Sequence, residues 1–208
     1  MDLPLDVKFK IASFDMDTWI RLSYMDDKFK QFSFNEGRKL FIDLFTIIHK
    51  KESYTKWTIF DKIHRFDDQP ALIYTSGRQE WFQNGQLQRN NDKPAIICSN
   101  GTQSWFKNDQ LHRNNDQPAI ICSNGDKTWY QNGQIHRDGD QPAIIYATGD
   151  RRWYQYGKIY RDDDQPAIID ANGVQIWYQN GLCHRDGNPA IIGAAGTEYW
   201  YINGCLVK

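Results

Sequence analysis

One word of 24 residues is written over and over in this chain, and that repetition restricts the fold more than any other feature. Read from Trp129, the word is WYQNGQIHRDGDQPAIIYATGDRR. Its tryptophan recurs at Trp57, Trp81, Trp105, Trp129, Trp153, Trp177 and Trp200, in steps of 24 with a last step of 23. Its proline recurs at Pro70, Pro94, Pro118, Pro142, Pro166 and Pro189. Its turn glycine recurs at Gly77, Gly101, Gly125, Gly149, Gly173 and Gly196. Self-similarity at such a period marks a repeat architecture, in which each copy buries its apolar face only against its neighbours.

The letters of the word are β letters. Asn132-Gly133 separates Trp129-Tyr130-Gln131 from Gln134-Ile135-His136, and Asn-Gly is a hairpin signal because both turn positions need a positive φ. Asp138-Gly139-Asp140-Gln141-Pro142 is loop-forming, and Ala143-Ile144-Ile145-Tyr146 reads as a strand after a proline that cannot donate to a ladder. Thr148-Gly149 turns the chain again, and no helical period runs through 57–208. The expectation is a mainly β protein: an elongated, single-layer antiparallel meander of about six β-hairpin repeats, two strands and two turns per copy, roughly 12 strands in all. A β-solenoid with one coil per copy is the rival stacking. The meander places equivalent residues ~9–10 Å apart and the solenoid ~4.8 Å apart. Cys98 and Cys122 occupy one position of adjacent copies. The meander therefore keeps them beyond the ~7 Å that a disulfide tolerates, and free thiols are expected.

Charge removes several classes of partner. The net charge is −1 over 208 residues; residues 1–56 hold ten Lys+Arg against nine Asp+Glu, and the remainder fifteen against seventeen. Neither part has the basic excess that binding to phosphates draws on, so no nucleic-acid partner is expected. The apolar runs fall short of the ~20 residues of a membrane span, and Asp2, Asp6 and Lys8 interrupt any signal-peptide run. The expectation is a soluble intracellular protein of the cytoplasm or nucleus, without membrane association.

Three columns of the repeat could carry chemistry. His64, His112, His136 and His184 share one position, with Gln88 and Tyr160 in the other two copies. A shared metal needs ligand atoms ~2.1 Å from one ion, which side chains ~9–10 Å apart on a sheet do not readily supply, so a packing or hydrogen-bonding role is expected and no metal or other cofactor. Arg65, Arg89, Arg113, Arg137, Arg161 and Arg185 form the second column. Three residues on, five of them meet Asp68, Asp92, Asp116, Asp140 and Asp164, so a ladder of Arg–carboxylate forks fixing the loops is expected. The same column could form a groove for phosphate or an acidic peptide. Candidate ladder or recognition residues are thus His112, Arg113, His136, Arg137, Arg161, His184 and Arg185. The third column, Trp81, Trp105, Trp129, Trp153 and Trp177, reads as packing, with Gly101, Gly125, Gly149 and Gly173 as turn glycines; any exposed rings would form a recognition stripe. No nucleophile–base pair, paired acid and base or phosphate-cradling loop is present, and no enzymatic activity is expected.

Residues 1–56 break the pattern. Val7, Ile11 and Phe14 recur at helical spacing; Asp17 is placed to cap a second helix with Trp19, Leu22, Met25 and Phe29; Asn35 is placed to cap a third with Leu40, Phe41, Leu44, Phe45, Ile47 and Ile48. A small three-helix region is expected over 1–56, followed by the repeat arm over 57–208.

Both parts resemble known families. Aromatic-Tyr-x-Asn-Gly-x-x-His followed by a glycine-turned strand is similar to the MORN repeat, over about three quarters of the chain. Here Arg follows the histidine (His112-Arg113, His136-Arg137, His184-Arg185) where MORN units usually have Gly. The wording also resembles repeats of giant DNA viruses, which would place the protein in a host cell. The MORN resemblance implies a β-hairpin arm with a binding or scaffolding role. Leu3-Pro4, Asp6-Val7, Ile11-Ala12-Ser13-Phe14 and Leu22 resemble an F-box, though Asp26-Asp27-Lys28 stands where that family has Cys-Lys. The F-box resemblance implies docking on the Skp-type adaptor of a cullin ubiquitin ligase through Leu3, Pro4, Val7, Ile11, Phe14, Trp19 and Leu22, with the arm capturing a target protein. The alternative is a structural scaffold whose head only caps the end strand, while the arm binds a protein partner or associates with itself.

Overall fold

The computed structural model describes residues 46–208; the expected head, including Leu3, Pro4, Val7, Ile11, Phe14, Trp19 and Leu22, lies outside the described residues. The described chain is mainly β, and its centre is a 15-stranded antiparallel sheet. The sheet runs in chain order, as an antiparallel meander. After Thr46–Lys50 and Tyr54–Ile59 come Leu72–Tyr74 and Gln79–Glu80, and then two strands from each copy. In the middle of the arm these are Ile120–Ile121, Lys127–Thr128, Ile144–Ile145 and Arg151–Arg152. Ile47 and Ile48, expected on the stripe of a third helix, lie on the first strand, pairing with Thr58 and Trp57. The β-branched run Thr46, Ile47 and Ile48, opposite Ile59, Thr58 and Trp57, wins over the helical spacing.

The register excludes the solenoid. Ile120 faces Thr128, and Thr128 faces Ile144, so equivalent isoleucines are separated by one intervening strand. Cys98, Cys122, Cys183 and Cys205 are all free thiols.

Each copy is richer than two strands and two turns. The turn glycine joins the two strands of the large sheet: Gly125 N–H donates to Cys122 C=O at 3.0 Å, with φ at +97°, a conformation that an L side chain resists. The Asn-Gly turn lies off that sheet. It closes a separate two-stranded hairpin, Tyr130–Gln131 against Gln134–Ile135, with Asn132 and Gly133 at φ +48° and +78°. Six such hairpins stand beside the sheet. The chain switches from one row to the other at the tryptophan. Trp129 N–H donates to Ala143 C=O further along the same copy at 2.8 Å, and Trp129 C=O accepts His136 N–H at 3.2 Å.

The core is correspondingly thin. It holds Trp81, Trp105, Trp129, Trp153 and Trp177, each 6–7% exposed, and Ala71, Ala95, Ala119, Ala143, Ala167 and Ala190, each fully buried. The alanine is small because its backbone is sandwiched: Ala143 N–H donates to Arg152 C=O at 2.9 Å while its carbonyl takes the Trp129 N–H. No helix among the described residues is long and apolar enough to cross a membrane.

Candidate functional site

The loop after each hairpin is the place where side chains of adjacent copies converge. Its spelling follows from its backbone. Asn115-Asp116 sits at φ +60° and +51°, and Asn91-Asp92, Gly139-Asp140 and Asp163-Asp164 share the two successive left-handed positions. Asn, Asp and Gly tolerate that conformation best. The bend aims two acceptors of Asp116 at the next copy. Its carbonyl takes the Trp129 indole N–H at 3.0 Å, and its carboxylate takes a two-pronged bond from Arg137, with Nε to Oδ1 at 2.8 Å and Nη2 to Oδ2 at 2.8 Å. Arg137 then lies over the Trp129 ring, Cζ to centroid 3.9 Å, and its Nη1 donates to Pro142 C=O at 3.2 Å.

This three-way lock is repeated with little variation. Asp68, Trp81 and Arg89 make it, as do Asp92, Trp105 and Arg113; Asp140, Trp153 and Arg161; and Asp164, Trp177 and Arg185. The arginine ladder therefore exists, but its rungs differ from those expected. Arg137 bonds Asp116 of the preceding copy, not Asp140 three residues ahead, which belongs to Arg161. The tryptophans are not a recognition stripe: an arginine covers each of the five. The lock weakens in the last copy. Gly187 occupies the place of the carboxylate, and Lys208 stands over Trp200 at 5.7 Å in place of the arginine.

Arginine bonding holds the carboxylates of Asp92, Asp116, Asp140 and Asp164 below their ordinary range. Asp68 falls to about 2, chiefly through Arg89, with Lys93 adding a second cation at 2.6 Å. A phosphate or acidic peptide would have to displace these internal carboxylates, so the arginine column is not a vacant anion groove.

The histidine column couples copies too. Nδ1 of His136 accepts the Tyr156 N–H of the next turn at 3.3 Å, and His64, His112 and His184 accept from Asn84, Asn132 and Asn203. His136 is the most buried, at 2% exposure, beneath the stacked ring of Tyr156. Among the described residues no group of three or more His, Cys, Asp and Glu is placed to hold a metal ion.

Between successive loops lie clefts. One of about 460 Å³ is lined by Asn114, Asn115, Tyr130, Gln131, Asp138 and Gln141, together with the locked residues. A second of about 330 Å³, two copies further on, has Tyr160, Asp162, Asp163, Tyr178, Gln179 and Asp186 on its walls. Burial raises the Tyr130 and Tyr178 phenols above their ordinary pKa.

No family model, no curated protein and no solved structure matches this chain. The functional argument therefore rests on the geometry and on the wording of the chain itself. Sequence reasoning found the His and Arg columns but missed the rim. The residue after each arginine reads Phe66, Asn90, Asn114, Asp138, Asp162 and Asp186. It changes along the arm while the lock beside it stays constant, and that contrast was available in the sequence.

Proposed function

We propose that this chain is a non-enzymatic interaction adaptor whose arm captures a protein target along the row of loop clefts. One observation carries the reading: five copies share the same lock, yet the residue after each arginine changes, from neutral Asn90 and Asn114 to acidic Asp138, Asp162 and Asp186, and the last four of these line the clefts. A scaffold needs only the lock; a surface that distinguishes partners needs the differing rim. The F-box-like wording of Leu3-Pro4, Asp6-Val7 and Ile11-Ala12-Ser13-Phe14 supports a head that docks a Skp-type adaptor, and the repeat wording supports a MORN-like arm. The working compartment on this reading is the cytoplasm or nucleus, of a host cell if the source is viral.

Co-expression with a Skp-type adaptor tests the head. A stable complex that is lost in Pro4→Ala/Ile11→Asp is the expected result. No complex, combined with aggregation of the arm once 1–45 is deleted, makes the head a structural cap. For the arm, Asp162→Lys/Asp186→Lys should abolish capture of the target while lowering the melting temperature by only a few degrees, since both carboxylates are exposed and make one side-chain bond each.

A further inference from the structure

Five copies present a side-chain acceptor to the hairpin turn of the next. At His64, His112, His136 and His184 that acceptor is Nδ1, at 3.1, 3.2, 3.3 and 3.0 Å from the turn amides of Asn84, Asn132, Tyr156 and Asn203. In one copy a residue that cannot titrate does the same work: Gln88 Oε1 accepts the Asn108 N–H at 3.3 Å. An imidazole accepting at Nδ1 carries its proton on Nε2. Nε2 indeed faces Asn114 Oδ1 at 2.8 Å, Asp138 Oδ1 at 2.9 Å and Asp186 Oδ1 at 3.1 Å in three copies. The tautomer is thus fixed from both sides. An imidazolium has donors on both nitrogens, so a second proton sets N–H against N–H at the turn.

We propose that the histidine column is an acid-released latch: protonation at Nδ1 loosens the hairpin turns held by His64, His112, His136 and His184 while the large sheet stays paired.

The groups around each imidazole divide. His64 meets the Phe66 ring edge-on at 4.4 Å and the Asn84 amide. His112 meets the neutral Asn114 and Asn132, with Arg113 in the same cleft. His136 meets the Asp138 carboxylate and the Tyr156 ring, stacked at 4.3 Å, with Arg113, Arg137, Asp116 and Tyr130 lining its cleft. His184 meets Asp186, with Arg161, Arg185, Asp162 and Asp163 lining its cleft. At each of these four histidines the turn amide donates to Nδ1, the position a second proton would take. At His64 burial lowers the pKa from 6.5, outweighing an opposing contribution from the Asn84 side chain. The sign follows. The latched state holds neutral imidazole and opening takes up a proton, so the His64 latch is complete above 6.5 and is lost as pH falls through its lower folded value. Between copies the large sheet is held by a backbone ladder, and the side-chain acceptors at its turns are Thr102, Asp126 and Asp150 rather than imidazoles.

Amide hydrogen exchange on the full chain at about pH 7.5 and about pH 5 spans the histidine titration. Corrected for intrinsic rates, the amides of Asn84, Asn132, Tyr156 and Asn203 should lose about fivefold to tenfold in protection, the loss of one hydrogen bond. The Asn108 amide, held by Gln88, should keep its protection. Equal loss at all five amides, or at none, overturns the latch. In the variant His64→Gln/His112→Gln/His136→Gln/His184→Gln, which copies Gln88, protection should be the same at both pH values. Persistent acid sensitivity at these amides would also overturn it. If that variant does not fold, the five-amide comparison in the native chain still decides.

Discussion

The large sheet and the row of hairpins run side by side through the same copies, yet different chemistry joins each to its next member. Between Lys127–Thr128 and Ile144–Ile145 the connection is a backbone ladder, indifferent to most side chains. Between the hairpins of 130–135 and 154–159, one backbone bond (Gly157 N–H to Ile135 C=O, 2.9 Å) crosses from copy to copy. The rest is side chain: the His136 acceptor, the Tyr156 stack and the arginine lock behind it. The sheet gives the arm its continuity. The hairpin row gives it joints that acid, salt and single substitutions can reach.

Trp129→Ala should break the contrast most severely, because Trp129 is the residue where the two rows meet. Its ring is 7% exposed, it supplies the platform for Arg137, and it bonds Asp116. Removing so large a buried ring should cost about 3–5 kcal/mol in urea unfolding. A loss below about 1 kcal/mol would mean that copies cohere without it.

Acid should sharpen the contrast at a smaller scale. The ladder aspartates have lowered pKa values, so their contribution is present above the ordinary 3.8 and is lost as pH falls through the folded values, about 2 for Asp68. Each carboxylate is more than a third exposed, which limits a rung to at most ~1 kcal/mol. The urea midpoint should therefore fall in two steps: one through the histidine range, and a shallower one below about pH 4, where ~1 M salt should blunt the loss. A single step spanning both ranges would count against separate joints.

The period, the turn glycines and the Ile-Ile strands were legible because each is a local signal, written in the few residues that form it. The meander was expected from Asn132-Gly133, but that turn closes a side hairpin, and tight reversals within the large sheet are made at turns such as that of Gly125. The partner strands were not legible. The same turn serves a sheet meander or a side hairpin, and only the buried Ala143, tied to both Trp129 and Arg152, decides which. The arginine rungs were hidden for a reason peculiar to repeats. Arg137 sees the aspartate column at Asp140 ahead and at Asp116 behind, and an unvarying column cannot reveal which copy supplies the partner. The loop bend decides: two left-handed residues, Asn115 and Asp116, turn the carboxylate toward the following copy.

A double-mutant cycle tests the cross-copy lock most directly. Arg137→Ala combined with Asp116→Asn should show a coupling of about 1 kcal/mol in unfolding free energy. Arg137→Ala combined with Asp140→Asn should be additive within about 0.5 kcal/mol. Coupling to Asp140 with none to Asp116 would return the arginine to its own loop and contradict the account of how one copy holds the next.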